Sequence, residues 1–344
     1  MVRGGGQVEV VVVPDPTPGP GQALVRSLAC GVCGSDVHFA ELVRAGALDD
    51  GVGVVLGHEF CVEVVDYGPA TEPTVPIGGL ACSVPYSAGP GGTELVGFSP
   101  AAPGAFADYL LLDADKLVDV PFGLAPEAAA LCEPLAVGRH AAGLAGPTDR
   151  RTPAVVLGAG PVGLSVVLAL RAAGRGPVLV SELAAVRRTA AERLGADIVV
   201  NPAERSPFAL WDMLGVSDGV PSPLLAGGVG RAPPVTVFEC TGTPGMLQQI
   251  LDGVPIGSRI VVVGACVDAD AIVPATGVVK ELELVFSFAY RPGELVEVLH
   301  DIAGGALDVS PLVTGTVGLA GVAGALDALA RDPSHIKIVV RPGL

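Results

Sequence analysis

A glycine-rich turn between an apolar strand and an apolar helix constrains the fold of this chain more than any other feature. The segment PAVVLGAGPVGLSVVLALRAAG spans residues 153–174 and carries the pattern GxGxxG at Gly158, Gly160 and Gly163. Glycines at these positions permit a tight turn, close approach of the backbone to a pyrophosphate, and packing of the helix on the strand. The helix N-terminus adds free N–H groups and the positive end of a dipole. The pattern therefore predicts a strand–turn–helix unit that binds a dinucleotide.

The end of the next strand bears on which dinucleotide is bound. The strand GPVLVSEL places Glu182 at its end, 19 residues after Gly163. An acidic residue there hydrogen-bonds the adenosine ribose hydroxyls and repels a 2′-phosphate, so the sequence favours NAD over NADP. Arg187 follows shortly after, and two interpretations of it stay open. It lines the adenine pocket, or it belongs to a solvated helix face.

Three short stretches upstream offer ligands for one divalent metal. They are GVCGSDVH at residues 31–38, GHE at 57–59 and Glu-Pro at 133–134. Cys33, His58 and a carboxylate from Glu59 or Glu133 supply one thiolate, one imidazole and one oxygen, which suits tetrahedral zinc. Three protein ligands leave a fourth position open, as in catalytic zinc sites. Taken singly, a cysteine is more often a small buried apolar residue than a metal ligand, and a lone histidine is more often a hydrogen-bonded core residue.

With these metal motifs upstream and the dinucleotide unit downstream, the chain resembles the zinc-dependent medium-chain dehydrogenase/reductase superfamily over nearly all of its length. The run EPLAVG at 133–138 is similar to the polyol, butanediol and threonine dehydrogenase branch. The resemblance implies an enzyme that interconverts a secondary alcohol or polyol and the corresponding ketone by hydride transfer to or from NAD, with NADP less favoured. Its substrate would be a small molecule, and the enzyme would form a homodimer or homotetramer.

The resemblance also implies an α/β fold with two domains. A GroES-like, partly open β-barrel catalytic domain would occupy residues 1–134, with 288–344 returning to it. A Rossmann doubly wound parallel sheet would occupy 135–287, where apolar strands alternate with helical stretches. Within the catalytic domain, short β segments are predicted at 8–13, 23–30, 60–67 and 106–112.

Roles for the metal-site residues follow from the same resemblance. Cys33 and His58 would bind zinc, Glu59 would lie in or beside the ligand shell, and Glu133 would ligate directly or hold a water. Which of the two glutamates completes the shell stays open.

A proton path is implied as well. Ser35 would take the substrate proton, His38 would pass it to solvent, and Asp36 would orient the His58 ring. Read without the family, Ser35 and Asp36 are equally an ordinary helix N-cap pair.

The expected cofactor-binding residues lie in five places along the second domain. Val263, Gly264 and Phe286 are placed near the nicotinamide carboxamide by family analogy alone. The full set is Gly158, Gly160, Pro161, Val162, Gly163, Glu182, Arg187, Cys240, Thr241, Val263, Gly264, Phe286 and Ser287.

The net charge and the cysteine content limit which binding partners and which cellular compartment are expected. The net charge of −16 speaks against nucleic acid or an anionic membrane surface as a partner. No apolar run is long enough to cross a membrane, and no signal peptide is visible. The spacings of the seven cysteines suggest no disulfide framework, so a reducing cytoplasm is expected.

One departure from the family concerns a second zinc. Most relatives carry a lobe with four cysteines that binds a structural zinc, whereas residues 78–106 contain only Cys82. One catalytic zinc per chain is therefore expected, with the structural zinc absent and the lobe reduced to a loop.

Two rival functions remain. The first is a catalytically inactive dinucleotide-binding sensor or structural protein, and the second is a zinc-free, NADPH-dependent enone or quinone reductase. A sensor has no use for the proton-transfer residues, and reductases of that kind typically lack the cysteine and histidine ligands. The presence of Cys33, Ser35, His38 and His58 together therefore favours the dehydrogenase.

Overall fold

The computed structural model describes residues 1–47, 53–89, 92–146, 151–216 and 234–344. The chain divides into two compact units. Unit 1 comprises Met1–Glu133 and Leu295–Leu344, and unit 2 comprises Pro134–Glu294. The sequence prediction had put the corresponding divisions at 134/135 and 287/288.

The strands and helices are numbered in chain order. The strands are β1 Val2–Arg3, β2 Gln7–Val8, β3 Gln22–Gly31, β4 Glu59–Tyr67, β5 Leu80–Ser83, β6 Tyr86–Gly89, β7 Gly92–Leu95, β8 Tyr109–Asp113, β9 Leu117–Asp119, β10 Ala154–Leu157, β11 Val178–Ser181, β12 Ile198–Val200, β13 Thr236–Glu239, β14 Arg259–Val262, β15 Glu283–Phe286, β16 Val313–Val317 and β17 Lys337–Val340. The helices are α1 Gly34–Arg44, α2 Pro126–Ala129, α3 Cys132–Gly143, α4 Pro161–Ala172, α5 Ala185–Arg193, α6 Met246–Gly253, α7 Pro274–Lys280, α8 Pro292–Ala303 and α9 Val322–Arg331.

Unit 2 is built on a six-stranded sheet in the order β12-β11-β10-β13-β14-β15, in which every neighbouring pair is parallel. Its central strands are buried along their whole length, as expected of a parallel sheet covered on both faces. The strand order is that of a doubly wound dinucleotide-binding sheet, with α4 following β10. The predicted fold class is confirmed.

Helix α4 approaches β10 closely because of one glycine. A Cβ on Gly163 would lie 1.9 Å from the carbonyl oxygen of Gly158, which no real side chain tolerates. The third glycine of the motif therefore serves helix-on-strand packing, as its position predicted.

Unit 1 centres on strand β3, which pairs antiparallel with β4, β8 and β17. The alternation along β4 buries Val62 and Val64 in the main apolar core of the unit. The predicted strands at 23–30 and 60–67 are confirmed by β3 and β4.

Two other segments of unit 1 differ from prediction. The strand predicted at 106–112 begins three residues later, at Tyr109. The strand predicted at 8–13 is wrong, because β2 ends at Val8 and the following residues pair with no strand. The lobe predicted to be a loop instead contains a hairpin, β6 with β7. Residues 90 and 91 lie outside the described ranges.

Within the described ranges, no helix combines the length and apolar character needed to cross a membrane.

Candidate metal centre and dinucleotide-binding loops

Three of the predicted ligands come together at one end of the β3–β4 pair. Glu59 opens β4 and pairs with Gly31 at the end of β3, while Cys33 follows β3 by two residues. His58 directly precedes Glu59. As a result, one ligand atom from each of Cys33, His58 and Glu59 lies within 4.8 Å of the other two. Among the described residues, this is the group of three or more that could hold a metal ion.

A glycine makes room for the carboxylate in this group. A Cβ on Gly31 would lie 2.1 Å from Oε2 of Glu59, so a larger residue there would expel the carboxylate. The glycine that opens the motif GVCGSDVH is therefore part of the site's architecture.

Asp36 supports the His58 ring from behind. Its carboxylate is fully buried, and its Oδ1 lies 3.4 Å from Nδ1 of His58. Its Oδ2 accepts a hydrogen bond of 2.9 Å from the backbone N–H of Cys33. Burial lowers the pKa of His58, but Asp36 and Cys33 outweigh burial and raise it well above its usual value. Asp36 thus links two of the predicted ligands.

The other ring nitrogen of His58 faces the predicted proton path. Its Nε2 lies 3.4 Å from Oγ of Ser35. His38 is exposed, and its Nδ1 lies 3.5 Å from a carboxylate oxygen of Glu41. Ser35 is therefore next to the metal-ligand group, whereas His38 contacts Glu41.

The alternative interpretation of Ser35 and Asp36 as a helix N-cap pair is wrong in position. Helix α1 begins at Gly34 and its N-cap is Cys33. Asp36 occupies the third helical position and accepts from the N-cap backbone, which is the returning half of a capping box. The local hydrogen bonds that begin the helix also fix the predicted zinc thiolate.

A buried lysine that the sequence reasoning did not single out completes this region. Nζ of Lys337 donates to both carboxylate oxygens of Glu59, at 2.7 and 2.6 Å, and to the carbonyl oxygen of Val32 at 3.0 Å. Both side chains are 1% exposed. Burial lowers the pKa of Lys337, but the charges of Glu59, Cys33 and Glu133 raise it overall. The available signal was a lone cation within the apolar closing strand HIKIVV.

Glu133 lies near this lysine without joining the metal-ligand group. It is buried in the first turn of α3, and its charge contributes to the raised pKa of Lys337. The group with ligand atoms within 4.8 Å contains Glu59 and not Glu133.

An aromatic side chain closes one face of the His58 ring. The ring centroids of His58 and Phe98 are 4.9 Å apart, and Phe98 in turn packs on Phe39 at 5.6 Å. Phe98 also went unnoticed in the sequence, because only the fold brings it to His58.

The arrangement fits zinc. A thiolate, an imidazole and a carboxylate converge, and the imidazole carries a carboxylate on its far nitrogen, the usual support of a zinc-bound histidine. Asp36 Oδ1 and His58 Nδ1 are buried without a well-formed hydrogen bond, and a ligand on the opposite nitrogen would fix the ring between them.

In unit 2, the glycine-rich loop leaves space where a phosphate would lie. A Cβ on Gly160 would meet nothing within 4 Å, in contrast to Gly163. Gly160 is the N-cap of α4, and Pro161 and Val162 follow it in the first helical turn. The backbone is therefore approachable at the helix N-terminus.

Glu182 is tied to the same loop. One carboxylate oxygen accepts from the N–H of Ala159 at 2.7 Å, and the other accepts from Ala184 at 2.8 Å. The side chain is largely buried, at the end of β11. Arg187 lies on α5 and is partly buried, and its two interpretations stay open.

A second buried carboxylate, missed in the sequence, organises the remaining predicted cofactor residues. Oε1 of Glu239 accepts from the N–H groups of Thr241 and Gly242, at 2.7 and 3.0 Å. Its backbone oxygen accepts from Val263 and Gly264, both at 2.8 Å. Two loops after neighbouring parallel strands, 240–242 and 263–264, are therefore held by one residue.

The last of the predicted residues follow the neighbouring strand. Phe286 is exposed, and Ser287 donates its N–H to Val262. The Ser287 hydroxyl is buried and has no hydrogen-bond partner within the described ranges. Cys240 precedes Thr241, and burial followed by the charge of Glu239 raises the pKa of its thiol.

Comparison with known families agrees with this architecture. Residues 19–122 match the Alcohol dehydrogenase GroES-like domain, and residues 161–304 match the family described as Zinc-binding dehydrogenase. The L-threonine 3-dehydrogenase of Thermococcus kodakarensis is 34% identical over 270 residues, which cover 74% of this chain and 71% of the relative. The (R,R)-butanediol dehydrogenase of Bacillus subtilis is 30% identical, covering 97% and 96% of the two chains.

Solved structures give the same result. The crystal structure of 2R,3R-butanediol dehydrogenase from Bacillus subtilis has a TM-score of 0.82 at 28% identity, covering 99% of this chain and 98% of that one. A zinc-binding dehydrogenase from Sinorhizobium meliloti 1021, bound to NADP, has a TM-score of 0.81 at 27% identity with the same coverage. The chain therefore belongs to the zinc-type medium-chain alcohol dehydrogenases, in the branch that includes threonine, sorbitol and butanediol dehydrogenases.

Proposed function

We propose that this protein is a zinc-dependent, NAD-linked dehydrogenase that interconverts a secondary alcohol or polyol and its ketone. One observation carries the proposal most directly. Cys33, His58 and Glu59 converge within 4.8 Å, with Asp36 placed behind the histidine ring. A catalytic zinc site has three protein ligands and leaves the fourth position open for water or substrate.

Cys33, His58 and Glu59 are the proposed zinc ligands. A carboxylate offers about four lone-pair sites, so Glu59 can bind a cation while Lys337 donates to it. Glu133 is proposed to hold the water or substrate hydroxyl, because it is buried nearby but lies outside the ligand group. When bound, zinc would polarise the substrate oxygen and lower the pKa of an alcohol toward neutrality.

The proton would leave through residues of helix α1. Ser35 is proposed to accept the substrate proton, because its hydroxyl lies beside His58. His38, one turn further along α1 and exposed, is proposed to release that proton to solvent. Asp36 would keep the His58 ring oriented while the substrate changes charge.

NAD is the proposed redox partner, and it supplies the hydride chemistry. Glu182 supports this choice, because its carboxylate is fixed beside the glycine-rich loop, where a ribose 2′-phosphate would meet like charge. Glu182→Ala should lower the ratio of kcat/KM for NAD to kcat/KM for NADP by at least about tenfold, or about 1.4 kcal/mol. Glu182→Asp, which keeps the charge, is the matched control. A native preference for NADP would refute this assignment.

The substrate class rests on the relatives. Threonine, sorbitol and butanediol dehydrogenases all act on hydroxyl-bearing small molecules, and the site proposed here has the ligand types for that reaction. A vicinal diol, a polyol or a β-hydroxy acid is therefore the proposed range of substrates.

The deciding experiment measures zinc per chain by elemental analysis, on protein purified without added metal or chelator, together with NAD-linked oxidation of butanediols, polyols and threonine. About one zinc and activity lost in Cys33→Ala, with NAD binding retained, is the expected result. No zinc after reconstitution would favour a cofactor sensor or a zinc-free reductase. About two would contradict the single-site expectation.

A homo-oligomer is proposed from the surface of unit 2. Strand β15 is an edge of the parallel sheet, and residues 267–288 carry an unusual number of exposed apolar side chains. They are Val267, Ile272, Val273, Val278, Val279, Leu284, Phe286 and Phe288. Exposed apolar edge strands are templates for pairing, and a second copy of the chain is the proposed partner.

A cytoplasmic location is proposed because all seven cysteines are free thiols.

A further inference from the structure

Three cysteines meet on one face of the unit 1 sheet, and none of them has a role in the site described above. Cys61 lies on β4, Cys82 on β5 and Cys132 at the start of α3. Their exposed fractions are 0%, 0% and 1%, and all three are free thiols. The ordinary expectation for each is that of a small buried apolar residue.

The strand register places two of them opposite one another. Strands β4 and β5 pair through Glu63↔Leu80 and Val62↔Ala81, so Cys61 and Cys82 are the next opposed pair. Opposed residues of antiparallel strands have Cα atoms about 4.5–5.5 Å apart. That separation lies within the range of about 4.4–6.8 Å that a disulfide spans.

Both thiols point away from the main core of unit 1. Val62 and Ala81 belong to that core, and side chains alternate along a strand. Cys61 and Cys82 therefore share the other face of the sheet. Sγ of Cys82 donates to the carbonyl oxygen of Ala129 at 3.5 Å, which shows that helix α2 covers this face.

The third thiol makes Cys82 the centre of the cluster. Hydrogen bonding with Cys132 and with Cys61, followed by burial, raises the pKa of Cys82 well above its usual value. A protonated, covered thiol is a poor nucleophile, so the cluster stays reduced in the resting protein. Oxidation would therefore be slow and would follow local opening of the α2–α3 corner.

We propose that Cys61, Cys82 and Cys132 form a redox-active thiol cluster, in which a peroxide converts Cys61 and Cys82 into a cross-strand disulfide. The sulfur of Cys82, after losing its proton, attacks one peroxide oxygen, the O–O bond breaks, and the first water leaves. This produces a sulfenic acid. The sulfur of Cys61 then attacks that sulfur, the S–O bond breaks, and the second water leaves. Two electrons pass from the two thiols to one hydrogen peroxide, and both thiol protons end in the waters.

Cys132 gives the cluster a way to exchange. Its thiol is close enough to Cys82 to raise the pKa of that residue. Attack by Cys132 on the Cys82 sulfur would release Cys61 and transfer the disulfide to β5 and α3. This proposal does not depend on the zinc or on NAD, and its primary test uses no activity measurement.

The test starts with the wild-type protein under native conditions. The protein is incubated with hydrogen peroxide, quenched with N-ethylmaleimide, digested without reductant and mapped by mass spectrometry. The expected result is a linked Cys61–Cys82 peptide pair that forms more slowly than oxidation of the partly exposed Cys266, raises the Tm and is reversed by dithiothreitol. If both cysteines remain alkylatable after denaturation, at a peroxide dose that oxidises Cys266, the cluster is simple packing and the proposal fails.

Variants assign the pairing. In Cys82→Ala, Cys61 and Cys132 should both stay reduced, whereas Cys132→Ala should still form the Cys61–Cys82 disulfide. Cys30→Ala is the matched control, because Cys30 is equally buried in unit 1 and its thiol donates to the carbonyl oxygen of Gly31, at 3.7 Å.

Discussion

At the scale of single residues, the ammonium group of Lys337 has the largest expected effect on stability. Lys337→Met would leave the Glu59 carboxylate buried beside Cys33 without its cation. Breaking a buried ion pair by removing one partner costs about 3–5 kcal/mol. We expect a loss of about 3 kcal/mol in the unfolding transition of unit 1, measured by chemical denaturation without added zinc.

Lys116→Met is the matched control for this variant. Lys116 pairs with Asp113 at 2.7 Å, but both side chains are partly exposed. Exposed pairs are worth up to about 1 kcal/mol. Equal losses in the two variants would mean that the pair between Lys337 and Glu59 stabilises no more than one at the surface.

We expect Asp36 to affect zinc affinity as well as the stability of the fold. Replacing the carboxylate by an amide keeps the shape but weakens its hold on the His58 ring. Loss of such a support typically costs about 10–100-fold in metal affinity. We expect Asp36→Asn to lower zinc affinity in that range, measured by competition with a chromophoric chelator. Glu41→Gln, a change to an exposed carboxylate on the same helix, should leave zinc affinity unchanged, and a similar loss there would contradict the assignment.

The residues of the candidate site were unequally predictable from the sequence. Cys33, His58 and Glu59 could be found because each sits in a short motif whose spacing is unusual for packing alone. Lys337 was visible only as a lone cation in an apolar strand, because its significance comes from pairing with a residue 278 positions away. Glu239 was missed for a related reason. The role of a carboxylate at the end of a buried strand can be recognised only when the loops that it hydrogen-bonds are known.

At the scale of elements, the glycines around β10 and α4 make separable predictions. Gly163→Ala would force its Cβ against a backbone oxygen at 1.9 Å, so helix and strand must separate. Gly160→Ala would meet nothing within 4 Å in the protein alone. We expect Gly163→Ala to lower the Tm, and Gly160→Ala to keep the Tm but lose the stabilisation that NAD gives. Thermal unfolding with and without NAD measures both effects, and an unchanged NAD response in Gly160→Ala would place the pyrophosphate elsewhere.

Most of the predicted strands and helices could be located from hydrophobic patterns, but the strand predicted at 8–13 was wrong. Val10, Val12 and Val13 are β-branched and led to a predicted strand, yet all three are exposed. A strand needs a partner edge as well as suitable residues, and β2 stops at Val8, where its pairing with β1 ends. β-propensity is a property of the segment itself, whereas strand pairing also requires a partner strand elsewhere in the chain. The β6–β7 hairpin was missed for the opposite reason, since its glycine-rich sequence resembles a loop.

At the scale of the whole molecule, association is the property most open to test. Leu284→Glu places a charge on the exposed edge strand β15 of a chain whose net charge is already −16. If copies pair through this strand, like charges would meet and the assembly should fall apart to monomers, as measured by sedimentation velocity. Ile77→Glu, at an exposed apolar residue of unit 1, is the control and should keep the wild-type mass. A Leu284→Glu protein of unchanged mass would exclude this edge as the interface.

The discontinuity of unit 1 also has a consequence for how the protein is made on the ribosome. Unit 2 is one uninterrupted segment, whereas unit 1 needs its last strand, β17, to pair with β3 and to bring Lys337 to Glu59. Lys337 follows Glu59 by 278 positions, which take roughly 14–56 s to synthesise at about 5–20 residues per second. During that interval the nascent chain already contains Glu59 and the thiol of the metal site. Lys337, whose positive charge pairs with Glu59, has not yet been synthesised. Unit 2 can therefore finish folding first, and the metal site of unit 1 is completed only after β17 has been synthesised.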